Sequence, residues 1–207
     1  VNYDAVLFDF DGVLVDSEPL HWRCWAEIVR PFGIDFDWET YQRVAVGVAD
    51  REVMEYLAAR ARPPIEPRVL HEKFPLKRQM YLDLLLRGPI LPDGLRELLH
   101  DLRFLKLAVV TSSYRSEVEP ALVAAGIRDL FAAVIDSEDV AEHKPSPEPY
   151  LLAARRLGAR RPIVVEDSPA GVSSARAAGF DVIRVTNPAE VAPALRAALA
   201  SGAVTGA

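Results

Sequence analysis

Five short apolar runs recur along this chain, most of them separated by a helix-like segment, and that alternation restricts the fold more than any other feature. The runs are Ala5 to Phe10, Lys106 to Thr111, Ala132 to Asp136, Pro162 to Glu166 and Asp181 to Val185. Such continuous apolar segments suit strands buried on both faces. The helix-like segments are Gly94 to Arg103, Arg115 to Ala125, Pro147 to Leu157, Ser168 to Ala178 and Ala189 to Ala200. The expected class is α/β, a parallel sheet covered by helices on both sides.

Residues 17 to 88 break the rhythm, because no strand-like run occurs there. Apolar residues instead recur at helical spacing: Trp22, Trp25, Val29 and Phe32; then Val53, Leu57 and Ala61; then Met80 and Leu84. Pro31 and Gly33 close the first of these helices, Arg62-Pro63-Pro64 separates later ones, and Pro75 kinks or restarts the last. Gly88-Pro89 and Pro92 mark the return to the sheet. The expected division is core at 1–16, a helical insert at 17–88 and the rest of the core at 89–207.

The composition is that of an ordered globular protein, half apolar and a quarter charged over 207 residues. A formal charge of −6 provides none of the basic field that nucleic acid or an anionic lipid surface needs, so neither is an expected partner. Cys24, the single cysteine, excludes an internal disulfide and a cysteine metal cluster, fits a reducing compartment and suits a small buried filler. No apolar run approaches the roughly 20 residues of a spanning helix, and Val1 to Phe8 has no basic leader pattern. A cytoplasmic location and a monomer or weak dimer are the expectations.

Polar residues stand where the apolar runs end. Asp9 and Asp11 stand at the end of the first, Thr111 and Ser112 at the end of the second, Glu166 and Asp167 at the end of the fourth, and Lys144 comes after the third. In doubly wound sheets ligands bind beyond the carboxyl ends of the strands, so the topology gathers these groups at one edge. Crowded carboxylates repel, which raises their pKa values or demands a cation. A hard divalent ion with oxygen ligands meets that demand, and magnesium suits the set better than zinc because no cysteine or histidine pair stands at ligand spacing. Asp11 lies two residues beyond Asp9, and Gly12 lets the chain turn away. One carboxylate can then attack phosphorus while the other protonates the leaving oxygen. Lys144, Thr111 and backbone amides are placed to hold the phosphoryl oxygens.

Four segments carry a family resemblance across the whole core. Asp9-Phe10-Asp11-Gly12-Val13-Leu14-Val15-Asp16-Ser17-Glu18 resembles the first motif of the haloacid dehalogenase superfamily of phosphohydrolases. Val110-Thr111-Ser112-Ser113 resembles its second, His143-Lys144-Pro145-Ser146-Pro147 its third, and Glu166-Asp167-Ser168-Pro169-Ala170-Gly171 its fourth. The resemblance implies a Rossmann-like parallel-sheet core with an inserted all-helical cap, into which residues 17–88 fit by position and length. It implies Asp9 as nucleophile and Asp11 as general acid/base. Thr111, Ser112 and Lys144 become the phosphate holders. Mg2+ is then held by Asp9, Asp167 and the Asp11 backbone carbonyl, with Glu166 either a direct ligand or the residue that orients a water. The second aspartate of Asp-x-Asp separates this chain from the dehalogenase and phosphonatase branches.

Within the phosphate branch the resemblance is to β-phosphoglucomutases and small sugar-phosphate phosphatases. His21, Arg51 in the run Gly47-Val48-Ala49-Asp50-Arg51-Glu52, and Lys77 match cap positions of the mutases, whereas Tyr114-Arg115 departs from their Lys-Asn. His21 can equally pack within its helix, Lys77 can be a solvated helix residue, and Trp22 and Trp25 suit the cap core better than sugar stacking. The first reading is a phosphatase acting on a small phosphorylated sugar or related metabolite. The second is a β-phosphoglucomutase-type isomerase, and the third a non-catalytic phosphosugar-binding module.

Overall fold

The computed structural model describes residues 3–46, 50–88 and 90–201. Five strands form one parallel sheet in the order β3-β2-β1-β4-β5: β1 (Ala5–Phe8), β2 (Lys106–Val110), β3 (Ala133–Ile135), β4 (Pro162–Glu166) and β5 (Asp181–Arg184). β1 is central and buried along its whole length, as is β4. Such strands must be apolar on both faces, which is why their sequences run Ala-Val-Leu-Phe and Pro-Ile-Val-Val. Each Val or Leu so buried contributes about 1.5 to 3 kcal/mol relative to exposure.

The chain divides into two compact units, Val1–Asp16 with Pro89–Ala207 and Ser17–Gly88. In the second unit lie α1 (Glu18–Val29), α2 (Trp38–Val44), α3 (Asp50–Ala58), α4 (Pro67–His71) and α5 (Phe74–Arg87). They close over a core of their own that includes Trp25, Val29, Phe36, Tyr41, Leu57 and Leu70. The first unit adds α6 (Leu95–Asp101), α7 (Arg115–Ala124), α8 (Glu148–Leu157), α9 (Pro169–Ala177) and α10 (Val191–Ser201) around the sheet. One layer of its core joins Leu7, Val110 and Val164 of the sheet to Tyr150, Ala153 and Leu157 of α8.

Several local expectations need adjustment. Two short helices, α2 and α4, occupy insert segments whose apolar spacing names no helix. α2 starts at Asp37, whose carboxylate accepts from Thr40 N at 2.7 Å, an N-cap that frees the helix from dependence on a long apolar stripe. Pro75 sits in the first turn of α5, where its missing N–H costs nothing, so it starts that helix and does not kink it. The buried face of α5 is Lys77, Tyr81 and Leu85, one position on from the expected Met80 and Leu84. Cys24 is buried. Among the described residues no helix is long and apolar enough to cross a membrane.

Candidate active site

The strand register assembles the site. Phe8 is level with Val109 of β2 and Val165 of β4, so the next residues outward, Asp9, Val110 and Glu166, meet at one height beyond the sheet centre. Asp9 N donates to Val165 O at 3.0 Å, which extends the ladder by one rung and fixes the start of the Asp9 side chain. Gly12 then turns the chain at φ +73°, and a Cβ there would lie 2.1 Å from Asp167 Oδ2. A side chain at position 12 would be strained and would also displace Asp167.

Lys144 reaches this point from the segment between β3 and α8. Its Nζ donates to Asp9 Oδ1 at 2.6 Å, to Glu166 Oε1 at 2.6 Å and to Val110 O at 3.0 Å. All three ammonium protons are thereby used. Glu166 is fully buried and accepts more: Tyr150 Oη at 2.8 Å on Oε1, and Asp167 N, Ser168 N and Ser168 Oγ, each at 3.0 Å, on Oε2. Ser168 in turn caps α9, its Oγ accepting from Gly171 N at 3.0 Å.

The electrostatics follow from burial and crowding. Burial pushes the Asp9 carboxyl well above the usual carboxylate range; the Lys144 ammonium pulls the other way, and the charges of Glu166, Asp167 and Asp11 add to the rise. For Glu166, burial is overcome by Lys144 and by its hydrogen bonds, which hold it below its ordinary value. Burial alone would lower Lys144, but Asp9, Tyr150 and Glu166 raise it well above the usual lysine value. Lys144 is thus held charged between two carboxylates, and burial, reinforced by the neighbouring acids, disfavours the charge on Asp9. One oxygen from each of Asp9, Glu166 and Asp167 lies within 4.8 Å of the others. Three carboxylates this close, with the single ammonium of Lys144 beside them, leave surplus negative charge that a hard divalent cation can offset.

Asp11 is held separately, its Oδ2 accepting from Ser113 Oγ at 2.6 Å. Ser113 N also donates to Thr111 Oγ1 at 3.0 Å, so one serine ties Asp11 to the buried Thr111. Ser112 is exposed beside it. Sequence reasoning passes over the side chains of Ser113 and Tyr150. The Thr-Ser-Ser run signals the first only as part of a motif, and nothing local signals the second, whose partner is sixteen residues away.

In the second unit the structure brings together His21 and Lys77, with Nζ 2.9 Å from Nδ1. The His21 ring stacks on Tyr81 at 4.2 Å. Lys77 is only 1% exposed, against the solvated alternative, and lies 5.5 to 5.9 Å from the ring centres of Phe74, Tyr81 and Trp25. Arg51 is different: its side chain is 86% exposed and pairs with Glu55 at 3.2 Å. Gly47, Val48 and Ala49 of the expected Gly-x-x-x-Arg loop lie outside the described residues, as does the side chain of Asp50. Trp22 spends its indole N–H on Phe36 O at 2.8 Å and packs against Trp38, and Trp25 is buried, so both belong to the packing of this unit.

Comparison with known proteins points the same way. Residues 6–185 match the family model described as haloacid dehalogenase-like hydrolase. Fructose-1-phosphate phosphatase YqaB of Escherichia coli (strain K12) is 31% identical over 187 residues, covering 89% of this chain and 97% of the relative. Beta-phosphoglucomutase of Bacillus subtilis (strain 168) is 28% identical over 188 residues, 87% of this chain and 82% of its own length. Among solved structures, CbbY from Rhodobacter sphaeroides in complex with phosphate superposes with a TM-score of 0.74 at 30% identity, covering 88% of this chain and 86% of that one.

Proposed function

The chain belongs to the haloacid dehalogenase-like hydrolases, and from that membership we propose that it is a magnesium-dependent phosphomonoesterase acting on a small phosphorylated sugar or related metabolite. The observation that carries the reading is the pairing of Asp9 with Lys144 beside a second, separately held carboxylate, Asp11. With Oδ1 of Asp9 tied to Lys144, Oδ2 is the attacking oxygen. A bond forms from Oδ2 to phosphorus as the bond from phosphorus to the ester oxygen breaks, and the leaving oxygen takes its proton from Asp11. Asp11 then accepts a proton from a water whose oxygen bonds to phosphorus as the bond from Asp9 Oδ2 to phosphorus breaks, which releases Asp9 and inorganic phosphate. Thr111 and the backbone amides beyond it, including that of Ser112, hold the phosphoryl oxygens. Lys144 joins them by trading one of its three acceptors.

Asp9 and Asp167, with the Asp11 backbone carbonyl, would hold the Mg2+, which supplies charge stabilisation for the transferring phosphoryl group. The sugar-phosphate class is supported by the phosphatase from Escherichia coli, whose name specifies fructose 1-phosphate. His21, Arg51 and Lys77 are the cap residues assigned to the substrate in this reading. A phosphate-release screen over a panel of sugar phosphates, with magnesium and with excess EDTA, tests it. Magnesium-dependent release from at least one member is the expected result. Release that survives exhaustive chelation, or none from any member, would contradict it.

A further inference from the structure

Tyr150 has no part in the scheme above, yet it touches the most heavily bonded group in the site. It lies in the first turn of α8, wholly buried, in the same apolar layer as Val110, Ile135 and Val164. Its ring centre is 5.1 Å from Lys144 Nζ, and its hydroxyl donates to Glu166 Oε1 at 2.8 Å. Phenylalanine would fill this layer equally well, and a buried hydroxyl costs free energy unless it is bonded, so the oxygen is there for Glu166.

The consequence lies in the acceptor count of that carboxylate. A carboxylate offers about four lone-pair sites. Lys144 and Tyr150 take Oε1, and two amides and the Ser168 hydroxyl take Oε2. Space is as fully committed: a Cβ on Gly171 would fall 1.6 Å from Oε1, so the carboxylate fills the room that a missing side chain leaves. Binding a cation directly would require Glu166 to give up one of these donors, and the two on Oε1 are the only ones not anchored at the start of α9.

We infer that Tyr150 is a positioning residue, one that commits Glu166 to anchoring Lys144 and keeps it out of the cation's inner coordination sphere. The inference rests on the proposed function. The inner carboxylates are then Asp9 and Asp167, and Glu166 acts through Lys144, which it holds against Asp9.

Two measurements test this. The first is a crystal structure of the protein soaked in Mn2+, with the ion located by anomalous scattering. The expected ion lies on Asp9 and Asp167, with Lys144 and Tyr150 still on Glu166 Oε1. An ion bonded to a Glu166 oxygen overturns the inference alone, whereas an ion absent from Asp9 and Asp167 overturns the reading of the site and the inference with it. The second is Tyr150→Phe, which keeps the ring and removes the donor, assayed on p-nitrophenyl phosphate. Loosening the group that holds Lys144 predicts a fall in kcat of about tenfold with KM within about twofold, in protein that stays folded at the assay temperature. An unchanged kcat, or a loss carried by KM, overturns the positioning role.

Discussion

Asp9, the proposed nucleophile, is buried among three other acidic side chains with Lys144 as its ammonium partner, so its charge depends on its neighbours. Asp9→Asn keeps the shape and loses the attacking charge. Phosphate release should fall roughly a thousandfold or more, the range seen when a nucleophile is removed, while thermal unfolding stays near that of the parent protein. Retained turnover would remove Asp9 from the mechanism. Asp9, Asp11 and Asp167 were legible as a set because each stands at the end of a strand-like run, with Lys144 in the segment after another, and a parallel sheet brings such ends together. Ser113 and Tyr150 were not legible as partners of Asp11 and Glu166. Their hydroxyls serve residues 102 and 16 positions away, and only the packed structure states that pairing.

At the level of elements, the loop after β2 and the segment after β3 must keep a common register, because one carries Thr111 and the other leads to Lys144. Arg115, at the start of α7, makes that connection. Its guanidinium meets Asp136 at 2.6 Å and Asp139 at 2.7 Å, and Arg156 of α8 reaches Asp139 at 2.7 Å. The Asp136 side chain is fully buried, so removing Arg115 strands a charge. Arg115→Ala should cost about 2 to 3 kcal/mol in chemical denaturation, less than a fully enclosed pair because the guanidinium side is partly open. Adding Asp136→Asn should recover most of the loss; no recovery would show that the contact matters for packing and not for charge. β1 and β4 could be read from their apolar runs, since burial on both faces leaves no polar alternation to mislead, whereas the edge strand β5 is largely exposed and carries Asp181 and Arg184 at its ends. α2 and α4 could not, at seven and five residues, because a helix that short repeats its apolar position too few times to establish a period. On α5 a lysine takes a core position, stabilised by His21 and the surrounding rings, and a pattern that sorts lysine as polar is displaced by one residue.

In the whole molecule, the proposed reaction and its selectivity fall to different units. The sheet unit holds the carboxylates, the lysine and the hydroxyls of the proposed chemistry, and the helical unit holds His21, Arg51 and Lys77. An acidic chain of net charge −6 does not draw an anionic substrate by its overall field, so phosphate binding rests on local donors and the cation. If Arg51 meets the polar end of the natural substrate, Arg51→Ala should lower kcat/KM for that substrate about ten- to a hundredfold and leave p-nitrophenyl phosphate within about twofold. Equal losses on both would take Arg51 out of the selectivity. Transfer of the phosphoryl group through Asp9 to water requires a covalent aspartyl-phosphate, which can be trapped. The protein is mixed with magnesium and the best substrate of the panel, quenched at short times, reduced with borohydride and mapped by mass spectrometry, while a parallel sample is followed for free phosphate. Homoserine at position 9, the reduction product of an acyl phosphate, is expected at a level that rises and then falls across quench times as free phosphate accumulates. An unmodified Asp9 during active turnover, or a trapped phosphoryl group that passes to a second sugar and not to water, would contradict it.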